Sequence, residues 1–421
     1  MKLATRLHRS LRIARTAAAL WILYKPPEYA SRLLRRPQPD RTQTHERAAR
    51  LILRSALDLR GVIIKLCQSV ATRSDVFPPP FIHVLKQCHD AVPPKPFDVI
   101  RAAVESELAK PLSAVFAEFD EAPLASASLA QVHRARLLGG ERVAVKVQYP
   151  DIEDIVRTDL ANMRRACRVY EFLDPQPLAL MPLLEELTTH IGFELDFLRE
   201  ADSADRVRGL FADDDRVVVP RIHREWSTRR VLTMELVGGL KVTDKAALEA
   251  AGLDPGVVVQ DLMRIFVRMI LAAGFFQADP HPGNLFAMPD GRIVVLDFGL
   301  AKELPEGFGL GLFELMFSMM TLNESAMVRA FRELGFETRT GDPATFVGIA
   351  RRMMERSDTG RFEGEFTEDM TDELFEAIRE DPVVSVPSDF VLVARVFALL
   401  SGIAHTLGQR ANVLEAMGAR T

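Results

Sequence analysis

An aspartate, an asparagine five residues on and a second aspartate thirteen residues further limit most tightly what this chain can fold into. They stand in Asp279-Pro280-His281-Pro282-Gly283-Asn284 and in Asp297-Phe298-Gly299. Between them, Pro289-Asp290-Gly291 is a turn signal flanked by apolar residues, and it reads as a β-hairpin over 284–297. A hairpin returns its two ends to one edge. Asn284 and Asp297 are therefore expected to lie together, with Asp279 one short loop away. A D-F-G tripeptide alone is a common turn; with the asparagine, the earlier aspartate and the hairpin it is far more restrictive. Asn284 and Asp297 offer hard oxygen ligands of the kind that suit Mg²⁺.

The second constraint is Val143-Ala144-Val145-Lys146-Val147, an apolar strand with one lysine in it. Burying an ammonium is costly unless it is paired. The partner is expected in the helical stretch 180–211, with Glu200 as first choice and Glu194 as second. Upstream, Ala125-Ser126-Ala127-Ser128 and Leu129-Ala130-Gln131 form a small-residue loop, through which backbone could approach a phosphate.

The 421 residues are 48% hydrophobic and 26% charged, as expected of a folded chain longer than one ordinary core. A net charge of −5 argues against nucleic acid as a partner. Cys67, Cys88 and Cys167 have no metal-ligand spacing and fit a reducing compartment. No stretch approaches the roughly 20 apolar residues of a membrane span. Glu314, Arg268 and Arg395 interrupt the best candidates, 308–321, 262–276 and 390–404, which read as buried helices.

Residues 1–27 contain no acid. Wound as a helix, Leu3, Leu7, Leu11, Ala14, Ala18 and Trp21 share one face, while Lys2, Arg6, Arg9, Arg12 and Arg15 spread over the other. That pattern suits peripheral contact with an anionic bilayer, a mitochondrial transit peptide, or a helix docked on its own domain. Pro37 and Pro39 suggest a linker. One helix is expected over 44–72, then another over 97–109. Strands follow at 114–120, 129–138 and 141–149, then long helices at 151–173 and 180–211, and strands at 216–222 and 229–237. The divisions expected are 1–40, an amphipathic helix and linker; 41–111, a helical extension; 112–237, a sheet-containing lobe; and 238–421, a helical lobe.

This order is that of an α+β, protein kinase-like bilobal fold with an N-terminal helical extension. The step from Asp279 to Asn284 followed by D-F-G has the spacing of a kinase catalytic loop and metal site, and V-A-V-K is the pattern of the ATP-binding lysine strand. Phosphoryl transfer needs metal ions on the phosphate oxygens and a carboxylate to orient the nucleophile. Asp279 and Lys146 are thus the candidate catalytic residues, Asn284 and Asp297 the candidate ligands of Mg²⁺ or Mn²⁺, and ATP the expected cofactor.

Three blocks narrow the resemblance: Pro123-Leu124-Ala125-Ser126-Ala127-Ser128-Leu129-Ala130-Gln131-Val132-His133, Val143-Ala144-Val145-Lys146-Val147-Gln148-Tyr149-Pro150, and Asp279 to Asn284. They resemble the UbiB (AarF/ADCK) family of atypical kinases, over about residues 50–410. Glu194-Leu195-Asp196 matches the family's E-x-D motif. Lys65-Leu66-Cys67-Gln68 matches its K-x-G-Q motif at Lys65 and Gln68, with Cys67 in place of glycine. The resemblance implies that the extension folds over the active site, so that Lys65 meets Glu194 or Asp196 as a lid. It implies that Met234-Glu235-Leu236-Val237-Gly238-Gly239 is the hinge, where backbone at Glu235 would meet adenine. It also implies ATP-dependent phosphotransfer or ATPase chemistry near isoprenoid quinone or lipid metabolism, with a lipid or quinone precursor and peripheral membrane contact among the partners. The location implied is cytoplasmic, at the inner membrane face, or mitochondrial in a eukaryote. No A-P-E motif follows Asp297, which argues against a peptide substrate. A nucleotide-binding scaffold with little turnover and a small-molecule kinase are the alternative readings.

Overall fold

A computed structural model describes residues 3–33, 41–71, 77–89, 94–173, 180–338, 347–348, 350 and 383–418. The linker prolines Pro37 and Pro39 lie outside the described residues. The chain divides into two compact units, Met1–Leu198 with His223–Leu236, and Arg199–Ile222 with Val237–Thr421.

The first unit is built on one antiparallel sheet. Its strands are β1 (Phe116–Phe119), β2 (Ala125–Ser126), β3 (Ala130–Leu137), β4 (Arg142–Gln148) and β5 (Val231–Glu235), in the order β1-β3-β4-β5 with β2 beside β3. Alternation along β4 sends Val143, Val145 and Val147 to one face, where all three are buried, and Lys146 to the other. The valine face packs with Ile100 and Val104 of the helix Phe97–Leu108 and with Phe116, Leu137 and Val231.

Helices cover the rest of this unit. They are α1 (Leu3–Leu33), α2 (Thr42–Leu59), α3 (Val62–Ala71), α4 (Pro79–Leu85), α5 (Phe97–Leu108), α6 (Ile152–Leu173) and α7 (Leu180–Glu194), followed by α8 (Phe197–Leu210), which belongs to the second unit from Arg199 on. Two helices expected as single pieces are each divided. The stretch 44–72 breaks where Arg60 and Gly61 both take left-handed backbone, φ +56° and +60°. Two such residues in succession cannot continue a right-handed helix. The stretch 180–211 breaks at Leu195-Asp196, and the Asp196 carboxylate then accepts the Leu198 N–H at 3.2 Å to start α8.

The arginines of α1 do not all face outward as the wheel implied. Arg9 is buried, donating from Nε to Asp159 Oδ1 of α6 at 2.8 Å and from Nη1 to the Leu59 carbonyl at 2.6 Å. Asn162 donates to Ser10 Oγ at 2.8 Å, and Tyr24 meets His45 Nδ1 at 2.7 Å. The helix therefore docks on α2 and α6 by its polar side. Leu3, Leu7 and Leu11 are left 82%, 69% and 58% exposed.

The second unit is mainly helical: α9 (Lys245–Ala250), α10 (Pro255–Val267), α11 (Phe308–Met320), α12 (Glu324–Glu333), α13 (Ser388–Thr406) and α14 (Val413–Gly418). Asp254 caps α10 ahead of Pro255, and the helix passes into a π-turn at Arg268–Ala272. Two small sheets carry the loops. One orders Val217–Val218, Ile293–Val295, Leu285–Ala287 and Leu240–Lys241; the other pairs Phe275–Gln277 with Ala301–Glu303. The expected hairpin is present, with Leu285 opposite Val295. One correction concerns membrane spans. By length and composition α13 qualifies, with a mean hydropathy of 1.5 in its best window. Its Phe390, Val393, Val396, Phe397, Leu400 and Ile403 are nevertheless buried inside the protein, as the core-helix reading expects.

The Arg9–Asp159 pair joins α1 to α6 with side chains 7% and 0% exposed. Removing one partner strands a buried charge, which costs about 3–5 kcal/mol. Arg9→Ala is expected to lose that much in chemical denaturation. Arg9→Met combined with Asp159→Leu is expected to lose clearly less.

Candidate functional site

In the first unit the small-residue loop is held by one tyrosine. Tyr149 OH lies 2.9 Å from Ser126 Oγ and donates to the Ala127 carbonyl at 3.2 Å, while the Tyr149 N–H donates to the Leu129 carbonyl at 3.0 Å. The Ala127 N–H donates to the Ala130 carbonyl at 2.8 Å. Ala125 is exposed and Ser128 buried. Burial pushes the Tyr149 hydroxyl pKa up, so it acts as a neutral donor. Gln131 and His133 close the loop from below. His133 Nδ1–H donates to the Asp120 carbonyl and its Nε2 accepts from Gln131, each at 2.8 Å; burial lowers its pKa and keeps it neutral. Gln131 Oε1 accepts the Lys95 N–H at 2.9 Å.

Lys146 sits in the centre of the sheet, opposite Val132 on one side and Leu232 on the other. It is half-buried, with Nζ 5.1 Å from the centre of the Phe197 ring. Two residues on, Gln148 is buried and donates to the Leu195 carbonyl at 2.9 Å and the Arg229 carbonyl at 3.2 Å. The Glu194-Leu195-Asp196 turn is thereby tied directly to the lysine strand.

That turn receives Lys65. Its Nζ lies 2.7 Å from Glu194 Oε1, with both side chains under 20% exposed. Asp196 instead caps α8 and faces Arg229 at 3.7 Å. Of the two carboxylates left open for Lys65, Glu194 is in ion-pair contact with it. Glu200, the first choice for Lys146, is buried at the start of α8. Gln68 lies on α3, and its side chain is outside the described residues. Cys67 is accommodated in the core, hydrogen-bonded to the Cys88 thiol, and that bond raises its pKa. Glu235 ends β5 with its side chain exposed, and the next N–H, of Leu236, donates to the Arg142 carbonyl at 3.0 Å.

In the second unit Asp279, Asn284 and Asp297 are drawn together by backbone bonds. The His281 N–H donates to the Asp279 carbonyl at 2.7 Å, the Asn284 N–H to the His281 carbonyl at 2.8 Å, and the Leu296 N–H to the Asn284 carbonyl at 2.8 Å. His281 Nδ1 accepts the Gly283 N–H at 3.1 Å, which shapes the turn. Asp297 takes left-handed backbone, φ +59°, and its carboxylate accepts the Gly299 N–H at 3.2 Å. A non-glycine residue held there stores of order 1 kcal/mol of strain, as functional loops do.

Sequence reasoning missed Gln277. It is fully buried and donates from Nε2 to the carbonyls of Asp279 at 2.7 Å and Asp297 at 3.2 Å. One side chain thus clamps both acidic loops. The available signal was a glutamine in the apolar run Phe275-Phe276-Gln277-Ala278, two residues before Asp279.

Among the described residues no three His, Cys, Asp or Glu side chains cluster as a self-sufficient metal cage. One carboxylate and one amide are what Mg²⁺ needs when phosphate oxygens complete its shell, so Asn284 and Asp297 fit a metal that arrives with a nucleotide. A cavity of about 590 Å³ in the second unit, lined by Asp213, Arg264, Arg268 and Phe313, includes none of these residues.

The family described as the ABC1 atypical kinase-like domain matches residues 87–331, more than half of the chain. The chain belongs to this family, that of the UbiB and ADCK proteins. It is 32% identical over 354 residues to the Arabidopsis thaliana protein ACTIVITY OF BC1 COMPLEX KINASE 7, chloroplastic, covering 84% of this chain and 51% of that one. It is 29% identical over 412 residues to AarF domain-containing protein kinase 1 of Xenopus laevis, covering 94% and 78%. The chain therefore spans as little as about half the length of some curated relatives. Rv3197 of Mycobacterium tuberculosis, solved with erythromycin, matches with a TM-score of 0.65 at 22% identity, covering 89% of this chain and 95% of that one. The protein is an atypical kinase-like member of the ABC1 family with an α+β, kinase-like fold.

The Lys65–Glu194 contact is a largely buried ion pair on the edge of the first unit's core, outside its hydrophobic cluster. Lys65→Ala is expected to stay folded and to change ATP affinity or basal hydrolysis. Calorimetric titration and a phosphate-release assay identical to wild type would remove Lys65 from the site.

Proposed function

We propose that this protein binds ATP with Mg²⁺ or Mn²⁺ and acts as a phosphotransferase or ATPase on a small, lipid-associated acceptor. Lys146 and the loop Ala125, Ser126, Ala127 and Ser128 hold phosphates, with Glu200 steadying the lysine and backbone at Glu235 meeting adenine. Asn284 and Asp297 hold the metal, which neutralises charge on the phosphate oxygens when bound. Asp279 orients the acceptor hydroxyl and takes its proton. Lys65, Gln68, Glu194 and Asp196 form the regulatory lid. The observation that carries this reading is the Gln277 clamp, which holds the candidate base and the candidate metal ligand by their backbones at a fixed spacing.

A small acceptor is favoured by the segment after Asp297. Ala301–Glu303 pairs with Phe275–Gln277, and Lys302 meets Asp389 of α13 at 3.0 Å. A segment committed to strand and helix contacts leaves no extended platform of its own for a peptide. An isoprenoid quinone precursor is the acceptor class we infer from the family resemblance. One observation favours a slower, scaffold-like role: the alanine loop is fixed by Tyr149 and lacks the backbone freedom of glycine.

The exposed edge Leu3, Leu7 and Leu11 supports peripheral attachment to an anionic bilayer at the inner membrane face. The three leucines touch little of the protein, so replacing them with serine is expected to abolish flotation with anionic liposomes and leave the melting temperature unchanged. Equal flotation of both proteins would sink the anchor.

The central test is metal-dependent nucleotide binding. Wild type is expected to gain thermal stability from ATP only with Mg²⁺ or Mn²⁺, and Asp297→Asn to gain none. An unchanged melting shift in Asp297→Asn would refute the assignment.

A further inference from the structure

The loop from Asp279 to Asn284 contains no lysine or arginine. Phosphoryl transfer nonetheless gains from a cation on the oxygens of the moving group, and an arginine supplied from elsewhere in a chain or complex is worth about 10³–10⁵ in kcat. Arg395 is the one charged residue between Phe390 and Ala404, in the middle of the apolar helix α13. An arginine there is costly unless its charge is used.

Its guanidinium reaches the catalytic loop. Arg395 Nη2 lies 3.4 Å from Asp279 Oδ1, with the arginine side chain 23% exposed. The contact is long for a charge-assisted hydrogen bond, which runs about 2.7–2.9 Å. Arg395 Nε is buried and has no hydrogen-bond partner among the described residues. A purely structural arginine would be expected to satisfy its buried donors and close on its carboxylate. This one does neither. The helix that carries it is also tied, through Asp389 and Lys302, to the segment following Asp297-Phe298-Gly299. α13 is therefore fixed to both loops of the candidate site.

We propose that Arg395 supplies the missing cation from α13, holding Asp279 in orientation and presenting its remaining donors to the transferred phosphoryl group. This rests on the phosphotransfer reading above. In the step, the acceptor oxygen forms a bond to the γ-phosphorus as the bond from that phosphorus to the β,γ-bridging oxygen breaks. The bond's electron pair leaves with ADP, and the acceptor proton passes to the Asp279 carboxylate. Arg395 neutralises charge on the equatorial oxygens and exchanges no proton, as suits a guanidinium that stays charged.

The test uses the full chain with Mg²⁺ and ATP, water serving as acceptor, and reads phosphate release beside thermal stabilisation by ATP. Arg395→Ala is expected to keep the ATP-induced melting shift and KM, and to lose kcat by about 10²–10³-fold. Arg395→Lys is expected to recover part of that loss. Added guanidinium chloride, kept well below denaturing concentrations, is expected to restore turnover to Arg395→Ala with saturation and to do nothing for Asp279→Asn. Turnover in Arg395→Ala equal to wild type would overturn the proposal. So would a loss that neither lysine nor guanidinium repairs and that tracks a fall in melting temperature, since that is a packing role. Equal turnover in wild type and Asp279→Asn would place the failure in the phosphotransfer reading itself.

Discussion

The arrangement of the second unit depends on the amide of Gln277. It donates to two backbone carbonyls eighteen residues apart in sequence, those of Asp279 and Asp297. Neither bond involves a carboxylate. The acids are thus positioned through their backbones, and the clamp itself occupies none of their side-chain oxygens. A neutral amide gives two donors without adding charge, which suits a site that must receive both a divalent cation and a polyphosphate.

Much of this was legible in the sequence, for identifiable reasons. The hairpin 284–297 was legible because Pro289-Asp290-Gly291 is a local turn signal, and the lysine strand because Val143-Ala144-Val145-Lys146-Val147 has one polar break in an apolar run. The helix breaks at Arg60-Gly61 and Leu195-Asp196 were not. Arg60 adopts positive φ without the composition that announces it, and Asp196 caps a helix from within a run that reads as helical throughout. The docking side of α1 was hidden for another reason. A helical wheel sorts residues by polarity, whereas the buried contact is made by the polar Arg9 and completed by Asp159, 150 residues away. The Asp279 contact of Arg395 is equally non-local: a lone arginine in an apolar helix shows that something pairs with it, and only the fold shows what.

The first unit couples its elements through backbone acceptors in the same way. Gln148 stands two residues after Lys146 and holds the carbonyls of Leu195 and Arg229, so the turn bearing Glu194 and Asp196 moves with the lysine strand. Lys65 then meets Glu194 from α3. A displacement of α3 would be felt at the strand through one ion pair and one amide. Cys67 lies two residues from Lys65 on that helix, and its free thiol is hydrogen-bonded to that of Cys88. The side chain in the family's glycine position is absorbed by a neighbouring sulfur without disturbing the Lys65 contact.

Gln148 and Gln277 share a defect that bears on why they are there. In each, the Nε2 makes two good bonds while the Oε1 is buried with no partner among the described residues. An orphaned buried acceptor costs about 1–3 kcal/mol, a sizeable fraction of a domain's net stability. A methionine or leucine at either position would remove the orphaned oxygen but would also take the donor away from two carbonyls. Each glutamine sits two residues from a candidate functional residue, Lys146 or Asp279, and each holds the backbone of a second motif, Glu194-Leu195-Asp196 or Asp297-Phe298-Gly299. A local violation that lowers stability yet fixes the spacing of two motifs is what a site selected for geometry, rather than for packing, leaves in a fold.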